Sequence, residues 1–476
     1  MIGGLRKTSL YLLAGTSVLG LLAVGATPAA AQTTQQLQAQ LKAMQAQMND
    51  LQRQIDEANA TAASAKASAD AGGSDLDLKV KWKGAPELSS GDGKFKFKVR
   101  GRLNLDYGSI DQDQRITGES DINAIELRRA RIGVEGVVYY DWKYKFEVDF
   151  AGNEASIKDA YLAYANWAPW KKSEIILGNH FVANSLEEMT SSRFITFLER
   201  ASFVEAFELD RRIGAGVWVG DEHWSFQTGY YGATPGDQET FFDDTTAASV
   251  RGTIAPINND TTVVHLGASY RHRNAGTLED TGAADLFRYR ARGADLHLAD
   301  RFVATPRIGA DDDLFVLEGA FVWNRFSLQG EYAQLETDVP VTISSVSPTY
   351  AGWYVDASLF LTDDMRNYKA DTGNFGRVKV KNPVSGGSGG WGAWELSGRY
   401  DTIDLSDGAA AFNASTTRNA VMCTDCGEQK TWLVGLNWWM TDHTAMKLQV
   451  SQSEISGGAN NGADITGVGL RAQVDW

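Results

Sequence analysis

The chain is short of proline, cysteine and long apolar runs, and each shortage narrows what the protein can be. Its 476 residues include 9 prolines and 2 cysteines. Past the N-terminus no apolar run reaches the about 20 residues of a membrane-spanning helix, which excludes a helical membrane protein. The formal net charge is −15, so a nucleic-acid partner is not expected. Aromatic residues make up 11% of the chain, too many for a disordered protein.

Residues 1–31 have the pattern of a signal peptide. Arg6 and Lys7 precede an apolar run from Leu10 to Ala26, and small residues follow up to Ala31. This order is typical of an export signal, and we expect cleavage after Ala31. A retained transmembrane anchor is the alternative, but the apolar run is short and ends in a cleavage signal.

A heptad pattern occupies residues 32–65. The apolar residues that alternate in steps of three and four are Leu37, Leu41, Met44, Met48, Leu51, Ile55, Ala58 and Ala62. This spacing predicts a short periplasmic coiled coil that oligomerises the chain. A monomeric amphipathic helix is the alternative, although it would leave an apolar stripe in water. Residues 66–93 contain Gly72-Gly73 and are expected to be a linker.

A period of two replaces the heptad spacing from Lys94 onward. Even-numbered residues up to Asp106 are charged or polar, and odd-numbered residues up to Tyr107 are apolar. This alternation spans about 14 residues, more than the five or six of a typical strand and enough for a tilted membrane strand. About sixteen such segments can be placed before the C-terminus, among them Phe287–Arg292.

Tight turns alternate with long polar connections between these segments. Short turns on one side and long loops on the other are typical of outer-membrane barrels. The stretches read as long loops are 232–260, 362–390 and 402–430. We therefore predict an all-β fold, a transmembrane antiparallel β-barrel of about 16 strands spanning residues 94–476 in outer-membrane lipid. A large secreted β-protein is the alternative, but it would have to hide many outward aromatic side chains from water.

The last strand ends on an aromatic residue, Trp476. An alternating strand that closes on such a residue resembles the assembly signal of Gram-negative outer-membrane proteins. We expect Trp476 to be recognised by the barrel assembly machinery.

Several local strings resemble the phosphate-selective porin O and P family. They are KWKGAPE at 81–87, FKVRGR at 97–102, LRRARIGVEG at 127–136, TSSRFITFLERA at 190–201 and WGAWEL at 391–396. The resemblance implies a sixteen-stranded barrel, a homotrimer, and a third loop near Phe181–Arg212 that folds inward and narrows the pore. The string Phe181-Val182-Ala183-Asn184 departs from the family, whose members usually have a Lys and a Pro there.

Basic rows on the inward strand faces, together with positions that match the family, predict an anion pathway. Its residues are Lys94, Lys96, Lys98, Arg100, Arg102, Arg129, Arg131, Arg193, Arg200, Arg288 and Arg290. Charges that line a low-dielectric wall would lower the entry barrier for anions. The alternative is that these side chains are solvated charges that balance one another.

The two cysteines form a C-x-x-C motif, Cys423 and Cys426, in a long loop. In an exported protein a local disulfide is the expected state, because a redox or metal site would need partners that the sequence does not show. No G-x-S-x-G or H-E-x-x-H motif is present, so neither an enzyme such as a lipase nor a metal site is expected.

The prediction is therefore an outer-membrane porin without a cofactor. It would be a water-filled channel through which small anions diffuse passively, with phosphate or polyphosphate as candidates. A general porin of the same fold with weak ion selectivity is the alternative. A structural tether, in which the coiled coil links the barrel to the wall layer, would be compatible with either.

Overall fold

The computed structural model describes residues 34–71, 78–82, 84–237, 245–277, 285–385, 387, 389–417 and 419–476. The predicted signal peptide, residues 1–31, lies outside the described residues. The chain divides into two units, one up to Asp75 and one from Leu76. In the described part of the chain, none of the helices is long and apolar enough to cross a membrane.

The first unit contains one helix, α1 (Thr34–Ala71). It continues past Ala65, where the heptad pattern was expected to give way to a linker, because residues 66–71 are mostly good helix formers and the first breaker is Gly72-Gly73. The side chains of Met48, Leu51 and Ile55 are exposed on the single chain. The coiled coil itself stays a prediction.

Sixteen antiparallel strands form a closed barrel in the second unit, which confirms the predicted fold class. They are β1 (Lys96–Asp111), β2 (Ile122–Val138), β3 (Trp142–Asp149), β4 (Ser156–Ala165), β5 (Lys172–Phe181), β6 (Arg211–Gly220), β7 (Trp224–Tyr231), β8 (Thr246–Asn258), β9 (Thr262–Asn274), β10 (Asp311–Trp323), β11 (Phe326–Asp338), β12 (Thr349–Phe360), β13 (Ala393–Asp404), β14 (Glu428–Thr441), β15 (Thr444–Ser456) and β16 (Asp464–Asp475). Each strand pairs with the next, and β16 pairs with β1, so the barrel leaves no edge strand open.

A short hairpin precedes the barrel, within the segment expected to be a linker. Its strands, Lys79–Trp82 and Pro86–Ser89, pair with each other, and the second also pairs with the start of β1, where Glu87 lies opposite Lys98. Extended structure therefore begins before Lys94.

The alternation along β1 separates an outer from an inner face. Leu103 and Leu105 are exposed on the outside, whereas Arg102, Asn104 and Asp106 are buried inside the barrel. The other long strands show the same two-residue period of burial. Outward apolar side chains suit a lipid environment, and inward polar ones suit a water-filled lumen.

Two strand predictions were wrong, although the count of sixteen was right. Strand β8 lies in a stretch expected to be a loop, because Gly252 and Pro256 weaken its alternating pattern. Phe287–Arg292 is not a barrel strand: Arg290–Ala291 pairs with Val303–Ala304, and Phe287 forms an isolated bridge with Gly309, inside the connection between β9 and β10. Its alternation reflects one face buried among other loops, which gives the same period as a barrel wall.

The connections lie at two ends of the barrel, which we call the turn end and the loop end. Connections at the loop end span residues 112–121, 150–155, 182–210, 232–245, 275–310, 339–348, 405–427 and 457–463. At the turn end all connections are short except residues 361–392, which follow β12. That segment was expected to be a long loop like the others, but strand order places it at the opposite end, because β12 runs from the loop end to the turn end.

The lumen is filled unevenly. Phe203 and Phe207 from residues 182–210, Tyr289 and Phe302 from residues 275–310, and Phe412 pack into an apolar core. This core also includes inward side chains of β10 to β13. Open space is therefore left along the opposite wall, formed by β1 to β6.

Candidate functional site

Residues 182–210, which we call the inner loop, connect β5 to β6 and fold into the lumen, where most of their side chains are buried. Inward side chains of β14 to β16 hold its backbone. These bonds join Gln473 Nε2 to Arg193 O at 3.0 Å, Lys447 Nζ to Ile195 O at 2.5 Å, Asn437 Nδ2 to Thr196 O at 2.9 Å and Gln449 Oε1 to Leu198 N at 3.1 Å. Residues 193–198 of the loop are thus fixed to the last three strands of the barrel.

The connection at residues 361–392 also enters the barrel, from the turn end. Arg251 Nη2 of β8 donates to the carbonyl oxygen of Gly373 at 2.7 Å. Asn374 Nδ2 donates to the carbonyl oxygen of Met189 in the inner loop at 2.8 Å. The inner loop therefore has neighbours on two sides, the late strands and this segment.

A cavity of about 400 Å³ lies between the inner loop and the wall formed by β1 to β6. Its lining includes eleven arginines and lysines against eight carboxylates: Arg102, Arg128, Arg129, Arg131, Lys145, Lys158, Arg193, Arg200, Arg211, Arg292 and Arg301 against Glu147, Asp149, Asp159, Glu188, Glu199, Glu205, Asp210 and Asp295. The cavity therefore carries excess positive charge in a chain whose net charge is −15.

Glu199 of the inner loop accepts hydrogen bonds from three guanidiniums. Its carboxylate lies 2.9 Å from Arg128 Nε, 3.1 Å from Arg129 Nη2 and 2.8 Å from Arg471 Nη2. Burial alone would raise the pKa of Glu199, but the charges of Arg128, Arg129 and Arg471 hold that pKa well below its usual range. Glu199 is therefore ionised and offsets part of the positive charge of the cavity.

The remaining arginines on this wall are also paired. Arg131 Nε lies 2.6 Å from Asp149 Oδ2, and its Nη1 lies 3.3 Å from Glu147 Oε1. Arg102 donates to Ser192 Oγ of the inner loop at 2.8 Å and lies 3.7 Å from Glu147. These contacts orient the guanidiniums, and they also reduce the charge that a passing ion meets.

Arg200 and Glu188 lie within hydrogen-bond distance of each other in the inner loop. Arg200 Nε lies 3.0 Å from Glu188 Oε2. The guanidinium also donates to the backbone carbonyls of Glu187, Glu188 and Thr190, at the end of the short helix α2 (Leu186–Met189). Burial raises the pKa of Glu188 to about 8, against the opposing attraction of Arg200. This carboxyl is therefore mostly neutral at pH 7.

The structure brings five of the predicted anion-pathway residues together. Arg102, Arg129, Arg131, Arg193 and Arg200 all line the cavity. Burial lowers the pKa of Arg193 to about 10, which still leaves its guanidinium charged at neutral pH.

The other predicted residues lie elsewhere. Lys94 precedes β1 and pairs with Asp92, so it is not on the barrel wall. Lys96 and Lys98 border a recess of about 230 Å³ near the turn end, and Arg100 pairs with Glu135 beside them.

Arg288 and Arg290 are not on the wall, because the segment that carries them belongs to the connection between β9 and β10. Arg288 Nε donates to the carbonyl oxygen of Thr305 at 2.9 Å in that connection. Both residues are absent from the cavity lining.

Sequence reasoning missed Arg128, Lys158 and Arg211, which also line the cavity. Arg128 lies at a β-bulge, where Leu105 pairs with Leu127 and the preceding Asn104 pairs with Arg129. Lys158 lies at a second bulge, between β3 and β4. A bulge shifts the alternation by one residue, so a strict period of two assigns these side chains to the wrong face.

Cys423 and Cys426 are joined by a disulfide in the connection between β13 and β14. The carbonyls between them anchor other loops: Asp425 O accepts from Ala304 N at 2.9 Å, and Thr424 O accepts from Ala459 N at 2.8 Å. Among the described residues, no three His, Cys, Asp or Glu side chains gather into a group that could hold a metal ion.

Known proteins resemble this chain over most of its length. The profile of a family described as "Phosphate-selective porin O and P" matches residues 97–476. The protein named Porin O of Pseudomonas aeruginosa is 27% identical over 401 residues, 79% of this chain and 87% of its own length. An uncharacterized protein of Caulobacter vibrioides is 28% identical over 396 residues, 79% of this chain and 73% of its own. The outer-membrane channel DcaP of Acinetobacter baumannii aligns with a TM-score of 0.49 at 12% identity, covering 82% of this chain and 99% of that one.

Proposed function

Since this chain belongs to the phosphate-selective porin O and P family of outer-membrane porins, we propose that its channel prefers small anions and that phosphate and polyphosphate are among them. The observation that carries this proposal is the lining of the cavity, where arginines and lysines outnumber carboxylates eleven to eight. Fixed positive charge on a low-dielectric wall lowers the entry barrier for anions and raises it for cations. Arginine also offers forked donors that suit phosphate oxygens.

A second candidate is a general porin with weak ion selectivity. It is supported by the ion pairs, because Arg102, Arg129, Arg131 and Arg193 each have a carboxylate within 4.0 Å. Paired charges present a weaker field to a passing ion than free ones do. The family and the barrel fold point to a channel rather than an enzyme in either case.

Single-channel recording in planar lipid with a KCl gradient tests the proposal. If the channel prefers anions, the reversal potential should have the sign of the chloride equilibrium potential. A reversal potential with the sign of the potassium equilibrium potential would show a cation preference and overturn the proposal. Added phosphate then separates the two candidates, since a phosphate-preferring pore should show reduced chloride current. Unchanged current at all phosphate concentrations would favour the general porin.

The anion preference should depend on the arginines that line the cavity. Replacing Arg102, Arg129 and Arg131 together with Gln should shift the reversal potential toward zero. The matched control is Arg100→Gln, because Arg100 also points inward from β1 but does not line the cavity. Equal shifts in the two variants would show that the cavity does not set the selectivity.

We also propose that the mature protein is an outer-membrane homotrimer whose three α1 helices form a coiled coil in the periplasm. The exposed side chains of Met48, Leu51 and Ile55 support this assembly, because a coiled coil would bury them. The loop end of the barrel would face the outside. N-terminal sequencing of the mature protein tests cleavage after Ala31.

Deletion of residues 33–65 tests the role of α1. Loss of trimers in cross-linking would support an assembly role. Intact trimers in cells with a detached envelope would support tethering to the wall instead.

A further inference from the structure

We infer that the cavity is a subsite for organic anions, in which one acidic group meets Lys158 and an apolar body lies against the inner loop. The inference rests on the proposed anion preference and specifies the class of substrate. It favours a carboxylate or sulfonate with a hydrocarbon part over inorganic phosphate.

Lys158 differs from the other cations of the cavity. Of the eleven described arginines and lysines in the lining, it is the one whose side chain has neither a hydrogen bond nor a carboxylate within 4.0 Å. Its bulge position turns it into the cavity, and the charges that act on it include those of Asp210, Arg131 and Arg211. An ammonium group without a fixed partner keeps all its donors for a ligand.

The lining of the same cavity also has an apolar part, which we call the apolar side. Phe181, Met189, Val204, Leu209 and Leu296 contribute to its lining. Four of them belong to the end of β5 and to the inner loop, and Leu296 comes from the connection between β9 and β10. A bare phosphate would lose hydration against such a surface without gaining hydrogen bonds, whereas a hydrocarbon group is stabilised there.

Phe181 is held in place by Arg211. The Arg211 guanidinium lies 3.8 Å from the centroid of the Phe181 ring, and its Nε lies 2.8 Å from Asp159 Oδ1. Phe181 is the first residue of the string that departs from the family pattern. The ring of Phe181 is therefore held by a guanidinium that is itself fixed in an ion pair.

The size of the cavity suits this ligand class. Its volume of about 400 Å³ lies within the range of about 300–1,000 Å³ usual for small-molecule sites. Such a space holds a ring of six carbons with a carboxylate, with room left for water.

The test compares benzoate, acetate and inorganic phosphate as blockers of KCl current through single full-length channels. We expect half-block by benzoate at a concentration at least about tenfold lower than by acetate or phosphate, because the ring adds contact with the apolar side. Equal half-block concentrations for all three, or tighter block by phosphate, would overturn the inference.

Two variants assign the effect to the two sides. Lys158→Gln should weaken block by benzoate and acetate alike, whereas Lys171→Gln, at an exposed lysine in the turn between β4 and β5, should change neither. Val204→Thr keeps the side-chain shape and should weaken block by benzoate alone. The heat-modifiable band on gels shows that each variant has folded. Unchanged block in both Lys158→Gln and Val204→Thr would overturn the site.

The outcome also separates this inference from the proposed function. A cation-selective reversal potential in KCl would contradict the anion preference itself. An anion-selective potential without preference for benzoate would leave the porin proposal intact and reject only the organic-anion subsite.

Discussion

Arg471 and Asp106 form a two-pronged salt bridge across the line where the last barrel strand meets the first. Arg471 Nε lies 2.7 Å from Asp106 Oδ1, and Nη2 lies 2.6 Å from Oδ2. The two residues are opposite each other in the pairing of β16 with β1. Arg471 also bonds the backbone oxygen of Leu198 and the carboxylate of Glu199. One side chain thus links closure of the barrel to placement of the inner loop.

Arg471→Met should lower the stability of the barrel and loosen the inner loop. Removing one partner of a buried ion pair costs about 3–5 kcal/mol, since the other charge stays buried without compensation. The midpoint of thermal unfolding in detergent, measured by circular dichroism, should fall. Arg325→Gln, at an exposed turn residue, is the control and should leave the midpoint unchanged. A stable Arg471→Met barrel would show that the pair is dispensable.

Gly101→Ala should impair closure at the C-terminus. Gly101 N and O exchange backbone hydrogen bonds with Trp476, and a methyl group on Gly101 would overlap the Trp476 ring. We expect less folded protein in the outer membrane, measured as the heat-modifiable band on gels. Gly252→Ala is the matched control, because its added methyl group would meet nothing within 4 Å. Normal yield of Gly101→Ala would contradict the packing described.

Trp476→Ala tests recognition by the assembly machinery separately. If Trp476 serves as an assembly signal, the variant should accumulate in the periplasm yet refold in detergent. Failure to refold in detergent would indicate that Trp476 acts through packing instead.

Glu199→Gln should increase anion preference. The substitution removes one negative charge that three arginines share, so the field in the cavity becomes more positive. The ratio of chloride to potassium permeability, from reversal potentials, should rise. Because the pKa of Glu199 is held well below its usual range, the effect should be the same from pH 5 to pH 9. Glu119→Gln, at an exposed residue between β1 and β2, should have no effect.

Anion preference should fall as the pH rises past about 8. Burial raises the pKa of Glu188 to about 8, so its carboxyl is neutral below that pH and adds a negative charge to the cavity above it. The raised pKa also means that stability should fall as the pH rises from about 4.5 to about 8 and level off above that, because over this range the unfolded chain loses the proton of Glu188 while the folded chain keeps it. Reversal potentials between pH 6 and pH 10 measure the first effect. Glu188→Gln should flatten the profile, and a variant profile that still falls near pH 8 would assign the titration to another group.

The sequence predicted the barrel well because lipid on one side and water on the other impose a strict two-residue alternation. The Lys96–Asp111 strand shows this pattern almost without interruption. The same criterion failed in a loop segment that alternates without belonging to the barrel wall, and in a strand whose residue types obscure the alternation. Arg288 and Arg290 alternate with buried residues inside a loop, and the sequence alternation of β8 is weakened although its burial alternates in the sheet.

The candidate site was harder to predict than the fold. Arg128 and Lys158 lie at bulges that only strand pairing reveals. The ion pairs were also missed, because partners such as Glu199 and Arg471 lie far apart in the chain. A row of basic residues in the sequence therefore indicates which side chains face the lumen. The charge that a solute meets there depends on which carboxylates lie next to each arginine.

The attachment of the inner loop has a consequence for the order of biogenesis. Its backbone bonds to Asn437, Gln449 and Gln473, which lie 241 to 280 residues further along the chain. Contacts of such sequence separation form late in folding. In a barrel whose strands β14 to β16 have not yet paired, the inner loop would thus not be fixed in the lumen. Ion selectivity would be the last property that the folding protein acquires.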